Sequence, residues 1–168
     1  MLTIRKATKS DALKILEYCK IIGGETDNLT FGKDGIPLKV EDEEKYLDSM
    51  YNSPTDLYLV ATINDEIVGA CCFSTYKKKR LCHRGEISIS VKKDYWNQHI
   101  GSKLMEETIL FATSLTSCEV ISLEVRADNL KAISLYKKFG FEVIGTFKNF
   151  MKVNGKAIDC LIMELIIK

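Results

Sequence analysis

The segment from residue 85 to residue 125 constrains the fold more than any other part of the chain. Residues 85–91, "GEISISV", alternate strictly between polar and apolar side chains, which is typical of a half-buried strand. Residues 101–115 repeat apolar side chains at helical spacing, and residues 120–125, "VISLEV", predict a second strand. A helical crossover of this length reverses the chain direction twice, so the two strands are predicted to form a parallel pair.

Hairpin patterns lie on both sides of this unit. Asn64-Asp65 separates "LYLVATI" from "EIVGACCFSTY", and Asn154-Gly155 separates two further strand patterns. The full order of elements is β-α-α-β-β-β, followed by α-β-α-β-β. It predicts a mixed α/β fold, with a mostly antiparallel sheet of about seven strands, one central parallel pair and about four flanking helices. Because no repeat or linker interrupts the 168 residues, we expect a single domain over residues 1–168.

The N-terminal part of the chain predicts two helices separated by a long loop. A strand over residues 2–8 is followed by a helix for which Ser10 or Asp11 is the candidate cap. Residues 23–37 are rich in Gly, Asp and Asn and predict the loop. A polar, amphipathic helix follows and ends at residues 52–54.

Charge and hydropathy exclude several classes of protein. The chain has 24 Lys and Arg against 23 Asp and Glu, and this net charge of +1 argues against bulk attraction to nucleic acid or to a membrane surface. The basic run "KKKR" at 77–80 is interpreted as a solvated loop. No run approaches the ~18–20 apolar residues of a membrane span, and the charged N-terminus lacks a signal-peptide core. We therefore expect a soluble, cytoplasmic protein.

The cysteine pattern favours free thiols. The six cysteines show no paired spacing, and most lie in apolar segments, where free Cys behaves as a small hydrophobic residue. A reducing compartment is therefore favoured over a disulfide framework. Cys82 stands beside His83, but further ligands at a suitable spacing are missing, so no metal is expected.

The stretch "DYWNQHIGSKL" at residues 94–104 joins the strand of residues 85–91 to the helix that follows. Backbone N–H groups at a helix start have no partner within the helix, and they lie at the positive end of the helix dipole. The N–H groups from Gln98 to Lys103 therefore predict a site for an anion, especially a phosphate. The alternative is an ordinary strand–helix turn that happens to contain a glycine.

A second segment, "VRADNLKAISLYKKFGF" at residues 125–141, resembles a signature of the GNAT superfamily of acyl-CoA-dependent N-acetyltransferases. The family pattern is N-x-x-A-x-x-L-Y-x-x-x-G-F, and it is matched throughout by Asn129, Ala132, Leu135, Tyr136, Gly140 and Phe141. The family's phosphate pattern is Gln or Arg, two residues, Gly, one residue, then Gly or Ala. With Gly101 as its last residue, Trp96 stands where Gln or Arg is usual, and His99 stands where Gly is usual.

The resemblance implies acetyl-CoA as the co-substrate and a role for each matching residue. Backbone groups of residues 89–91 would hold the pantetheine arm and polarise the acetyl carbonyl. Tyr136 would act as the acid that protonates the departing thiolate. The residues implied in cofactor binding are Ile89, Ser90, Val91, Trp96, Gln98, His99, Ile100, Gly101, Ser102, Lys103, Asn129, Ala132 and Tyr136. For Asn129 the alternative is a plain helix cap.

An amine must be neutral to attack a thioester, so the reaction needs a base or another path for the proton. Glu86 is the first candidate, because it lies on the polar face of the strand that leads to residues 94–104. Glu124, on the polar face of the next strand, is the second. Glu25, Asp27 and Asp34 lie in the loop that shapes the acceptor pocket in this family, and they could attract a cationic amine.

The function implied by the resemblance is transfer of an acetyl group from acetyl-CoA to a primary amine, by direct attack in a ternary complex. The acceptor could be a small metabolite, a polyamine, an antibiotic or a protein N-terminus, and a homodimer is possible. Two alternatives remain: a non-catalytic acyl-CoA sensor, and an unrelated nucleotide-binding module. The intact Tyr136 argues against the first, and the missing Gly-rich phosphate loop argues against the second.

Overall fold

The computed structural model describes residues 1–168 and has the predicted helices and strands in the predicted order. Short 3₁₀ turns lie at Lys9–Asp11 and Lys93–Tyr95. Not one of the helices is long and apolar enough to cross a membrane. The elements are β1 (Leu2–Lys6), α1 (Ala12–Glu25), α2 (Val40–Asn52), β2 (Leu57–Ile63), β3 (Glu66–Thr75), β4 (Arg84–Val91), α3 (Ile100–Ser114), β5 (Val120–Arg126), α4 (Leu130–Lys138), β6 (Glu142–Val153) and β7 (Lys156–Ile166).

A single sheet contains all seven strands in the order β1-β2-β3-β4-β5-β7-β6. Only β4 and β5 are parallel, and they pair at three positions, the last of which joins Glu86 to Ser122. Beyond that position β4 pairs only with β3, as far as Val91, and β5 pairs only with β7, as far as Arg126. The predicted mixed sheet with one central parallel pair is confirmed. The space between residues 87–91 and residues 123–126 is called the β4–β5 gap below.

Helices cover both faces of the sheet. On one face α1 and α2 pack over a buried cluster that includes Val60 and Ala70. On the other face α3 and α4 cover a larger cluster of 19 buried residues, among them Phe73 and Ile87. Because side chains alternate along β4, Glu86, Ser88 and Ser90 lie on the α1–α2 side, and Ile87, Ile89 and Val91 lie on the α3–α4 side. The β4–β5 gap is therefore bordered by polar side chains on one face and apolar ones on the other.

The tight turns have the backbone conformations that the sequence predicts. Asn64 and Asp65 have φ values of 50° and 65°, and Asn154 and Gly155 have values of 49° and 78°. Two successive residues with positive φ define the type I′ turn that matches the twist of a hairpin. The helix α4 ends before Gly140, whose φ is 89°. Both predicted hairpins and this helix end are confirmed.

The loop after α1 begins later than predicted, because Gly23 and Gly24 belong to the helix. A Cβ atom on Gly23 would lie 2.0 Å from the carbonyl oxygen of Gly32. The glycine therefore serves close packing between the last turn of α1 and the following loop, and not a chain reversal. The first strand also ends earlier than predicted, at Lys6.

Asp11 takes the N-cap position of α1, but its carboxylate makes no capping bond to that helix. It accepts two 2.7 Å hydrogen bonds from the Arg5 guanidinium and one of 2.8 Å from the Thr8 N–H. These bonds lower the pKa of Asp11 to about 2, with the Arg5 hydrogen bond as the largest cause. The carboxylate thereby joins β1 to the start of α1.

Candidate functional site

The turn between β4 and α3 carries a row of unpaired backbone N–H groups. None of the six N–H groups from Asn97 to Ser102 donates a hydrogen bond to another protein atom. Asn97 and His99 have left-handed backbone, with φ values of 62° and 60°, and α3 begins directly after His99. This arrangement suits an anion. We call residues 97–102 the anion corner.

One member of the predicted row is different. The N–H of Lys103 donates to the carbonyl of His99 at 3.1 Å, because Lys103 closes the first turn of α3. Its backbone is therefore occupied, and only its exposed side chain could contact a ligand. The row begins one residue earlier than predicted, at Asn97.

His99, which departs from the family pattern, and Gly101, which matches it, have different structural surroundings. His99 occupies a left-handed position, which explains why glycine is usual there, since glycine adopts positive φ without strain. Gly101 faces the space between β4 and α4, because a Cβ atom there would lie 3.5 Å from Leu135 and 3.8 Å from Val91. A longer side chain at Gly101 would enter that space.

Trp96 does not present its indole N–H to the anion corner. The Nε1 atom donates to the Val91 carbonyl at 2.8 Å, and this bond ties the ring to the end of β4. One face of the ring contacts the Lys131 side chain, with Nζ 5.1 Å from the ring centroid. Trp96 therefore offers an aromatic surface where the family pattern has a polar side chain.

The residues predicted to hold the pantetheine arm line one edge of the β4–β5 gap. Ile89, Ser90 and Val91 pair with β3, and the register of β5 does not reach them on their other side. The Ser90 hydroxyl lies 2.9 Å from the Tyr18 hydroxyl of α1. Burial raises the pKa of Tyr18, so this phenol remains protonated at neutral pH.

Asn129, Ala132 and Tyr136 lie along α4 and its N-cap position, on the side of the sheet that α3 also covers. Asn129 is the N-cap of α4, and its Oδ1 atom accepts from the Ala132 N–H at 3.3 Å. The capping role suggested by the sequence is thus observed, while the side-chain Nδ2 has no protein partner. Ala132 packs at the edge of the larger core. A role for Asn129 or Ala132 in cofactor binding stays a prediction.

Tyr136 is buried as a residue, with 7% of its surface exposed. Its ring lies 6.0 Å from that of Phe141, and its hydroxyl forms no hydrogen bond with the protein, although that oxygen is not fully buried. Burial raises the pKa of Tyr136, and the nearby Cys71 adds to the effect. Tyr136 is therefore a neutral phenol with a proton that it does not donate to any protein group.

Glu86 lines a cavity of about 250 Å³ on the α1–α2 side of the sheet. Its Oε2 atom accepts a 3.2 Å hydrogen bond from the Tyr76 hydroxyl. The sheet register sets Ser74 opposite Glu86 and Cys72 opposite Ser88. The lining residues are Cys72, Ser74, Thr75, Tyr76, Glu86 and Ser88. We call this space the Glu86 cavity.

Glu124 lies on β5, two residues beyond Ser122, the register partner of Glu86. Burial raises the pKa of Glu124, and the charge of Glu86 raises it further. The pKa of Tyr76 is raised by burial and then by the charges of both glutamates. The structure therefore brings the two candidate bases into one electrostatic group.

The acidic loop residues occupy three different environments. Glu25 accepts a 2.8 Å hydrogen bond from the Lys93 N–H, beyond the end of β4. The Asp27 carbonyl accepts a 3.1 Å bond from the Arg126 guanidinium at the end of β5. Asp34 is exposed and forms no hydrogen bond. Glu25, the last residue of α1, and Asp27, in the loop, are thus bonded to residues near the ends of β4 and β5. Attraction of a cationic amine stays a prediction for all three.

Sequence reasoning missed Tyr76, Cys72 and Ser74 in the Glu86 cavity. Their position depends on the pairing of β3 with β4, which is set by contacts distant in sequence. It also missed Lys131, because nothing in the sequence relates this residue to Trp96, 35 positions earlier. The only available signal was the basic residue in the first turn of α4.

Comparison with known proteins identifies the family of this chain. The model of the Acetyltransferase (GNAT) family matches residues 29–141. The L-amino acid N-acetyltransferase AaaT of Escherichia coli K12 is 34% identical over 105 residues, which are 62% of this chain and 65% of that protein. The chain spans less than two thirds of the length of this and other curated relatives that it matches.

Solved structures agree over nearly the whole chain. A GNAT-family acetyltransferase from Streptococcus pneumoniae has a TM-score of 0.96 at 32% identity, with 100% of both chains covered. The yncA protein of Salmonella typhimurium, solved with acetyl-CoA, shares the fold with a TM-score of 0.86 at 20% identity, covering 100% of this chain and 95% of that one. The family match extends over more than half of the 168 residues and includes the anion corner and the whole of α4. The chain belongs to the GNAT family of acetyltransferases.

Proposed function

We propose that the protein transfers the acetyl group of acetyl-CoA to a primary amine, by direct attack within a ternary complex. One arrangement carries the proposal: the anion corner follows the end of β4, the Glu86 cavity lies beside β4 on the α1–α2 side of the sheet, and Tyr136 packs in the core cluster on the α3–α4 side. A donor with phosphates and an extended arm, and an acceptor that must lose a proton, need these three environments in one place.

The residues of the anion corner fit the phosphate groups of acetyl-CoA. Six unpaired N–H groups at the start of α3 can donate to phosphate oxygens, and the helix dipole favours the negative charge. The edge of residues 89–91 that β5 does not pair would hold the pantetheine arm, and the Asn129 Nδ2, which has no protein partner, would donate to the cofactor. When bound, acetyl-CoA would supply the thioester that reacts with the amine.

The two proton transfers of the reaction would take place on opposite faces of the sheet. The amine arrives as an ammonium ion, and Glu86, with Glu124 beside it, would take or relay its proton. Tyr136 keeps its proton at neutral pH, because burial raises its pKa. It would donate this proton to the sulfur that leaves as a thiolate, and it would recover one from solvent.

The acceptor would place only its amine end in the Glu86 cavity. A volume of about 250 Å³ lies below the ~300–1,000 Å³ of typical small-molecule sites, so the rest of the acceptor would remain outside. Hydroxyl and thiol groups line the cavity, and its single carboxylate would attract an ammonium ion. These features support a small metabolite amine, a polyamine, an antibiotic amine or a protein N-terminus as the acceptor class.

We further propose one domain over residues 1–168, a cytoplasmic location and a homodimer. One sheet runs through the described chain, and all six cysteines are free, as suits a reducing compartment. Val143, Ile144 and Phe147 are exposed on the edge strand β6, which a second copy would cover. Light scattering would measure the mass of the purified protein in solution. A monomeric mass at every concentration would refute the homodimer.

A direct test incubates the protein with acetyl-CoA and a panel of primary amines while free thiol is measured. We expect thiol release that depends on at least one amine and is matched by the acetylated product in mass spectrometry. Titration calorimetry with acetyl-CoA accompanies the assay. Binding without turnover of any amine would favour the sensor, and equal binding of acetyl-CoA, ATP and NAD would favour a general nucleotide module.

A further inference from the structure

Lys131 is a basic residue held beside the anion corner. It lies in the first turn of α4, and its ammonium group rests over the face of the Trp96 ring, 5.1 Å from the centroid. The Trp96 ring cannot move freely, because its N–H is bonded to the Val91 carbonyl. The contact therefore joins α4 to the turn that leads into the anion corner, and the space between them is called the groove below.

The ammonium group of Lys131 forms no salt bridge, although Asp27 and Asp128 line the same surface pocket. It is exposed and takes part in none of the ion pairs of the structure. The neighbouring Arg126, in contrast, is paired with Asp128 through two hydrogen bonds of 2.6 Å, and it also donates to the Asp27 carbonyl. Arg126 thus uses three of its five donors on protein atoms, whereas Lys131 uses none.

A phosphate of acetyl-CoA would complete this arrangement. We propose that Lys131 binds a phosphate group of CoA and that Trp96 is the positioning residue that holds the ammonium beside the anion corner. The inference rests on the proposed function. An aromatic face attracts a cation without neutralising it, so the ammonium keeps its three donors for phosphate oxygens.

The proposal also accounts for Trp96 at a position where the family pattern has Gln or Arg. A polar side chain at that position would donate from the corner itself. In this chain the indole N–H of Trp96, its only donor, is bonded to the Val91 carbonyl, and Lys131 on α4 supplies the positive charge. Charge-assisted bonds to phosphate are stronger than neutral ones, so the lysine would more than replace a glutamine.

The first test measures acetyl-CoA affinity by titration calorimetry in the parent, Lys131→Gln and Lys137→Gln. Lys137 is a matched control, since it is an exposed lysine of the same helix without an ion pair. We expect Lys131→Gln to raise Kd about 5–30-fold, in the range of one partly exposed charged hydrogen bond, and Lys137→Gln to leave Kd within about twofold. Equal Kd values for the parent and Lys131→Gln would overturn the proposal.

Shortened ligands identify the phosphate and exclude a purely structural role. If the 3′-phosphate is bound, 3′-dephospho-acetyl-CoA should bind the parent and Lys131→Gln equally. If the pyrophosphate is bound, the difference should persist with that ligand and vanish with acetyl-pantetheine, which carries no phosphate. A similar loss with acetyl-pantetheine would mean that Lys131 acts on the fold of the groove, and it would refute phosphate binding.

The role of Trp96 is tested by a double-mutant cycle. Trp96→Leu removes the aromatic face, so it should weaken acetyl-CoA binding in the parent but have little further effect in Lys131→Gln. Trp96→Arg should restore affinity to Lys131→Gln, because it returns a cation to the family position. Additive losses in the cycle would show that Trp96 does not position Lys131. Failure of the parent to bind acetyl-CoA would refute the proposed function as well, whereas tight binding with an unchanged Lys131→Gln would refute only this inference.

Discussion

Replacing Tyr136 with Phe separates catalysis from binding and from stability more cleanly than any other change in the site. The substitution removes one hydroxyl and keeps the ring that packs 6.0 Å from Phe141. Since the hydroxyl forms no hydrogen bond with the protein, its loss leaves no partner unsatisfied. We therefore expect the free energy of unfolding to change by less than about 1 kcal/mol, and the affinity for acetyl-CoA to stay nearly the same.

Tyr136→Phe should lower the turnover number, kcat. General acid catalysis contributes about 10²–10⁴-fold, which corresponds to about 2.7–5.4 kcal/mol of the activation barrier. A proton donated only as the thiolate forms stabilises the transition state and not the bound substrates, so kcat should fall by this factor. Because burial raises the pKa of Tyr136, the parent enzyme should show no loss of kcat from ionisation of this residue up to about pH 10.

The assay combines steady-state thiol release with calorimetric titration of acetyl-CoA and urea unfolding. Tyr51→Phe is the matched control, because Tyr51 is an exposed tyrosine on α2, 49% accessible, whose hydroxyl also forms no hydrogen bond. We expect the control to match the parent in all three measurements. A kcat for Tyr136→Phe within about threefold of the parent would refute the assignment of Tyr136 as the acid, and an equal loss in the control would show that the assay reports on something other than the site.

Four further changes test other parts of the structure. Glu86→Gln should lower kcat/KM about tenfold at pH 7, and the deficit should shrink as the pH approaches that of amine deprotonation; a deficit that is constant with pH would remove Glu86 as the base. His99→Gly relieves a left-handed residue at φ 60° and should raise the free energy of unfolding by up to about 1 kcal/mol in urea titrations, whereas a clear destabilisation would mean that the His99 side chain holds the turn. Asp11→Asn should lower the free energy of unfolding at pH 7 by about 1–2 kcal/mol, a value discounted because Arg5 is partly exposed. The folded pKa of about 2 lies below the ordinary value of 3.8, so this stabilisation is present above about pH 4 and is lost as the pH falls toward 2. Unfolding curves of parent and variant should converge at low pH, and curves that stay separate would contradict the ion pair as the source. Gly23→Ala would put a methyl group 2.0 Å from the Gly32 carbonyl oxygen and should lower the midpoint of thermal unfolding by several degrees. Gly24→Ala is the control, because its Cβ would meet only a Lys33 side-chain atom at 3.8 Å, and equal midpoints for the two variants would contradict the close approach at Gly23.

Much of the fold is predictable because its signals are local. Asn64-Asp65 and Asn154-Gly155 are residue types that adopt the positive φ of their turns, and the alternation of residues 85–91 predicts which face of β4 is buried. The parallel pair follows from the length of the crossover helix alone. Tyr136 and Gly140 were predictable through a pattern within one helix and its end.

The remainder depends on contacts between distant residues. Ser74 faces Glu86 only because β3 and β4 pair in one particular register. Gly23 was misinterpreted as part of a loop, because a glycine required for close packing looks the same in sequence as a glycine required for a turn. The occupied N–H of Lys103 reflects the exact residue at which α3 begins, and helix boundaries are the least certain part of a sequence-based assignment.

The short pairing of β4 with β5 divides the sheet into two parts that are contiguous in sequence. Strands β1 to β4 come from residues 2–91, strands β5 to β7 come from residues 120–166, and three register pairs join the two parts. A ligand lying in the gap would donate to and accept from both edges, and so act as a temporary eighth strand between them. Because a ligand that binds only the folded protein stabilises it, acetyl-CoA bound to both edges would add to the three register pairs that hold the N-terminal and C-terminal parts of the sheet together.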